Sequence, residues 1–184
     1  MGNALKIMRR FFRRAAKDES GTATIPFVIF LPFFLTLVIS SLEMGLLMMR
    51  HVMLERALDL AVRDLRLGIW VPASNIDLKQ RICNYAGILP DCMNAVLVEL
   101  RPVSKITWQP LSSGPVCVDR TAQVQPLTEF ITGTSNDMML VRACVKVEPM
   151  FPMTGIGFSL PKDASGAYSL VSSTAFVNEP RPGA

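Results

Sequence analysis

Ser20 to Leu42 is a run of 23 uncharged residues, and six basic side chains stand just before it: Lys6, Arg9, Arg10, Arg13, Arg14 and Lys17. A bilayer's hydrocarbon core takes about 20 apolar residues as helix. Flanking Lys and Arg stay on the cytoplasmic side. The pattern therefore predicts one membrane-spanning segment with an N-terminus inside and a C-terminus outside. The h-region of a cleaved secretory signal is shorter, about 7–15 residues, and ends at small residues. Here the run is bulky, with Phe27, Phe30, Phe33 and Phe34 among its members, and Glu43-Met44-Gly45 follows it. The segment is expected to be retained.

Charge supports this division. The chain has 19 Lys+Arg and 15 Asp+Glu. Residues 1–21 hold six of the former and, in Asp18 and Glu19, two of the latter, which leaves 13 of each sign beyond them. The sequence pI near 9.1 thus reports on the leader. No basic patch remains for nucleic acid to recognise.

Helical character continues past the apolar run. Apolar residues recur at 54, 58, 61, 62 and 65, while charges at 55, 56, 59, 63 and 66 lie mostly off that stripe. Asp59 and Arg63 have the spacing of a supportive i,i+4 pair. Gly68 and Pro72 are stop signals. One helix is expected from about Ile25 to Leu67, on the order of 60 Å long at 1.5 Å per residue. Pro26 suits a first turn. Pro32 falls inside and tends to kink a helix. Its kink is either simply tolerated or a flexible point used when the helix is repacked among others.

Ser74 and Asp77 have capping-box spacing with a shorter acid, which predicts a second helix over about Asn75–Ala86. Three segments read as strands: Ala95–Val103, Met138–Glu148 and Tyr168–Val177. Pro102 suggests an edge position for the first. Residues 104–136 are turn-rich, and Pro149, Pro152, Gly155 and Gly157 mark a loop. The expected fold class is α+β, a long transmembrane helix continuing into a small head with an antiparallel sheet of three or four strands packed on a helix.

Cys83, Cys92, Cys117 and Cys144 all follow the apolar run. An even number in an oxidising compartment reads as two disulfides, with three possible pairings. Cys83–Cys92 and Cys117–Cys144 is the favoured one. It closes a short helix-turn-strand loop and ties a strand-like segment, Val116–Asp119, to the Met138–Glu148 strand. No Cys-x-x-Cys pair occurs, and the only histidine, His51, is expected at the membrane surface, so no metal or cofactor is called for. A hydrolytic triad would need His51 as its base, far from any pocket. Glu148 and Asp163 are isolated carboxylates in or beside loops. No enzymatic chemistry is expected. Glu43, the one charge in the apolar stretch, is expected either at the outer interface or paired with a positive group of a neighbouring subunit.

The stretch Asp18-Glu19-Ser20-Gly21-Thr22-Ala23-Thr24-Ile25-Pro26-Phe27-Val28, then Leu31-Pro32 and Leu42-Glu43-Met44-Gly45, resembles the TadE-like family. These are minor pilins, or pseudopilins, of Tad (tight adherence) pili. The likeness covers about residues 18–46. It implies cleavage by a prepilin peptidase after Gly21, giving Thr22 as the mature N-terminus. It also implies helix packing through Pro32, Glu43 and Gly45. The implied partners are other pilins, Tad inner-membrane assembly proteins and the peptidase. Such prepilins usually carry Glu at the fifth mature position, and Pro26 stands there.

The resulting expectation is a basic cytoplasmic leader over 1–21, a transmembrane and extended helix over 22–68, and a periplasmic head over 69–184. The implied role is in pilus assembly or adhesion. The alternative is an uncleaved, membrane-anchored periplasmic scaffold or binding component of the same apparatus.

Overall fold

The computed structural model describes residues 24–67, 69, 74–107 and 114–179. The leader, the processing residues Gly21 and Thr22, and the stop signals Gly68 and Pro72 lie outside the described residues. Helix α1 runs unbroken over Thr24–Arg66, 43 residues with Pro32 inside. The Leu67 N–H closes its end on the Arg63 carbonyl at 3.0 Å. An 18-residue window of α1 has a mean hydropathy of 2.4 and no buried residue, so the helix is long and apolar enough to cross a membrane. Pro32 has no N–H to give to the preceding turn. Its own carbonyl accepts from the Thr36 hydroxyl at 2.7 Å, and the Thr36 carbonyl accepts from Ser40 at 2.7 Å.

The two halves of α1 have opposite surroundings. Large apolar side chains from Ile25 to Leu42 are mostly exposed, whereas Leu54, Ala57, Leu58, Ala61, Val62 and Leu65 are buried. That buried set is the stripe expected from the 3.6-residue period, with Ala57 added. Fully burying one such leucine contributes about 1.5–3 kcal/mol. Asp59 and Arg63 form no ion pair among the described residues; Arg66 instead reaches Glu179 at 2.9 Å.

Helix α2 (Asn75–Tyr85) starts at its expected cap, where the Asp77 N–H donates to Ser74 Oγ at 3.2 Å. It lays Leu78 and Ile82 into the core. Arg81 and Tyr85 both bond to Asp64 at 2.8 Å, which clamps α2 against α1. That hydrogen bond to the Asp64 carboxylate raises the Tyr85 pKa above its ordinary value. A four-residue helix, α3 (Cys92–Ala95), precedes the first strand and is absent from the sequence reading.

The sheet has three antiparallel strands in the order β1-β2-β3: Val96–Val103, Met138–Val147 and Tyr168–Val177. Met139, Val141, Ala143, Val145 and Val147 of β2 face the helices with their neighbours Val96, Val98, Leu100, Tyr168, Leu170 and Phe176. The opposite face carries Arg142, Cys144 and Lys146. There Glu99 and Arg142 are cross-strand partners, 7 % and 8 % exposed, and the Arg142 Nε donates to Glu99 Oε2 at 2.8 Å. β1 is an edge strand, as Pro102 suggested. Residues 129–131 cover part of its free edge, with the Leu100 N–H donating to the Glu129 carbonyl at 2.9 Å.

Both favoured disulfides are present, Cys83–Cys92 and Cys117–Cys144, with sequence separations of 9 and 27. Val116–Asp119 is not a strand, contrary to expectation. Its backbone has no ladder partner and is held instead by the bridge to β2 and by Gln125, whose side chain bonds the Asp119 N–H and carbonyl at 3.1 and 2.9 Å. The loop after β2 holds a further short helix that the sequence did not announce, α4 (Gly155–Ser159).

Candidate functional site: the seam between the long helix and the head

Glu43 is 1 % exposed. Its carboxylate accepts the backbone N–H of Met150 at 3.2 Å and of Phe151 at 3.0 Å. A buried carboxylate needs hydrogen bonds to offset lost hydration. Here the head's own backbone supplies them, so Glu43 finds its partners within its chain. Of the two expectations for Glu43, the outer interface and a positive group of a neighbouring subunit, neither includes this intrachain partner.

Steric fit seals the same seam. Gly155 has φ +51°, and a Cβ there would lie 1.9 Å from Ser40 Oγ. Only glycine allows both that backbone conformation and that approach. Within the loop, a Cβ on Gly157 would lie 2.2 Å from the Phe151 carbonyl oxygen. Lys162 then ties the loop to itself, its Nζ donating to the carbonyls of Pro152 at 3.0 Å and Gly157 at 2.8 Å.

Farther along α1, Arg50 Nη1 donates to the Glu148 carbonyl at 3.0 Å and to the Tyr168 hydroxyl at 3.3 Å. Arg120 Nη1 meets the Glu148 carboxylate at 2.6 Å and its Nη2 meets the Lys146 carbonyl at 3.2 Å. Arg50, Arg120 and Glu148 line an open cleft of roughly 730 Å³ together with Asp91, Asn94 and Gln125. Glu148 is therefore not isolated. Nor is Asp163, whose carboxylate lies 2.8 Å from Lys146 Nζ and accepts from Ser165 and Ala167. The Lys146 ammonium, then those hydrogen bonds, hold the Asp163 carboxyl well below the usual carboxylate range.

Of the other residues singled out from sequence, Gly45 is exposed, and a Cβ there would meet nothing within 4 Å. His51 Nε2 lies 3.3 Å from Glu55 Oε1, one turn along α1. Met150 and Phe151 carry no sequence signal of their own and Gly155 reads only as a loop marker, because their partners Glu43 and Ser40 lie far away in sequence; Lys162 bonds carbonyls only five and ten residues before it, but no pattern marks it. The signal that points to the first three is the uncharged, Pro- and Gly-containing stretch 149–161. No family model matches the chain, and no curated protein or solved structure matches it.

Proposed function

We propose that this chain is a minor pilin or pseudopilin of a Tad-type pilus, a non-enzymatic subunit taking part in pilus assembly or adhesion. In this reading it crosses the inner membrane once, its leader cytoplasmic and its head periplasmic. One observation carries the proposal: α1 is a single helix whose first half presents bare apolar surface and whose second half is the core of the head. Such a helix leaves lipid only where other helices replace the lipid contacts. That exchange is what assembly into a fibre provides. The two disulfides suit an oxidising compartment.

The test is intact-mass measurement of the chain expressed with an active or an inactive prepilin peptidase. The expected result is loss of Met1–Gly21 only with active peptidase, and no loss for Gly21→Leu. A chain that keeps its leader beside an active peptidase supports the second reading, a permanent membrane-anchored scaffold of the same apparatus. Two observations favour that reading. Pro26 stands where a neighbour's amine would expect a carboxylate. Glu43 is already engaged by Met150 and Phe151.

A further inference from the structure

We infer that the loop of residues 149–161 is a second membrane contact, dipping its apolar tip into the outer interfacial layer of the bilayer that α1 crosses. The inference rests on the proposed membrane crossing and adds a lipid-binding surface to the head.

Position is the first argument. The uncharged run has 23 residues and a bilayer core takes about 20, so α1 can slide by only about three residues, roughly 5 Å. Ser40 therefore lies within about one helical turn of the outer boundary. Gly155 is packed directly on Ser40, and Phe151 on Glu43. The loop is held at that depth by the seam and cannot stand clear of the lipid while α1 spans.

Composition is the second. From Pro149 to Pro161 the chain has no charged residue. Met150, Met153 and Phe158 are 56 %, 81 % and 69 % exposed, on a loop that packs on α1 at Ser40 and Glu43. An exposed apolar loop of this kind, seated on α1, matches the chemistry of the headgroup–acyl boundary.

The third is the backbone. Irregular chain enters an apolar layer only when its polar groups are satisfied. Here Glu43 takes the N–H groups of Met150 and Phe151, and Lys162 takes the carbonyls of Pro152 and Gly157. The N–H groups of Thr154, Phe158 and Leu160 bond to carbonyls inside the loop at 3.1–3.4 Å. The Lys162 ammonium stays at the rim, 5.9 Å from the centre of the Phe158 ring.

The test uses the full chain in phospholipid vesicles, with Trp70→Phe and Trp108→Phe as background and a single tryptophan introduced by Phe158→Trp or, as span control, Phe34→Trp. Recovery of both disulfides by non-reducing peptide mapping verifies folding of each variant. Lipids brominated at shallow or deep acyl positions serve as quenchers, and iodide as the aqueous one. The expected result for Phe158→Trp is blue-shifted emission, loss of intensity with the shallow label beyond that with the deep one, and protection from iodide. Phe34→Trp should respond most to the deep label. If the Phe34→Trp chain is quenched by lipid while the Phe158→Trp chain is quenched only by iodide, the loop stands above the bilayer and the inference is overturned. Protection of the Phe158→Trp chain from both quenchers assigns the patch to a protein neighbour and also overturns it. A Phe34→Trp chain blind to lipid labels removes the membrane crossing itself, and the inference falls with it.

Discussion

Glu43 and Phe151, 108 positions apart, are joined by a 3.0 Å hydrogen bond from the Phe151 N–H to the Glu43 carboxylate. With the Met150 N–H on the other oxygen at 3.2 Å, this fixes the head's loop at one height on α1. A lone acid at the end of the apolar half of α1 thus serves as an internal latch.

Removing the latch should loosen the loop before it unfolds the head. Glu43→Ala leaves two backbone donors without an acceptor and should cost about 2–3 kcal/mol. Glu43→Gln retains one carbonyl acceptor and should cost less. Chemical denaturation in detergent micelles gives the size of the effect. Limited proteolysis should show new cleavage within 149–161 first. Unchanged midpoints and cleavage patterns for Glu43→Ala would contradict the latch.

Gly155→Ala should also open the seam, for two separable reasons. Left-handed backbone costs a non-glycine residue about 1–2 kcal/mol. The added Cβ also meets the Ser40 hydroxyl at 1.9 Å. Pairing Gly155→Ala with Ser40→Ala should recover part of the steric loss and none of the conformational one. A double-mutant cycle showing simple additivity would argue that the two residues do not touch.

The disulfides should contribute unequally. Chain-entropy estimates give about 3.5 kcal/mol for Cys117–Cys144 and about 2.5 kcal/mol for Cys83–Cys92, following their separations of 27 and 9. Replacing Cys117 and Cys144 together by Ser should therefore lower the denaturation midpoint more than replacing Cys83 and Cys92. It should also free the 114–130 segment, which has no strand pairing beyond the contact at Phe130. Equal losses, or a larger loss at the shorter loop, would weigh against this account.

Asp163 sets an acid dependence. Its folded pKa is depressed, chiefly by the Lys146 ammonium, while in the unfolded chain it titrates at about 3.9. The stabilisation is therefore complete above that unfolded value. It declines as pH falls toward the folded one, because only the unfolded chain then gains the proton. Asp119 and Asp137, both lowered by hydrogen bonds from threonines, act in the same direction. Asp163→Asn should lower stability at neutral pH and flatten the acid slope below about pH 4. A variant with the parental acid slope would show that the pair is not the source.

The sequence by itself determined the elements whose signal is local. The stripe from Leu54 to Leu65 specified the half of α1 that is buried, and Ser74 with Asp77 specified where α2 starts. Alternation placed Met139 to Val147 on one face of β2, and Pro102 marked an edge. Tertiary structure decided what depends on contact between distant segments. Val116–Asp119 has strand-like residues but no ladder partner, so the bridge to Cys144 and the Gln125 side chain hold it as irregular chain. Glu148 and Asp163 looked isolated because Arg120 and Lys146, their counter-ions, come from other parts of the chain. Glu43 showed no partner within the chain because no periodicity reports one 108 residues away. Its burial follows from the glycine at 155, which lets the returning loop come close enough to α1 to cover it.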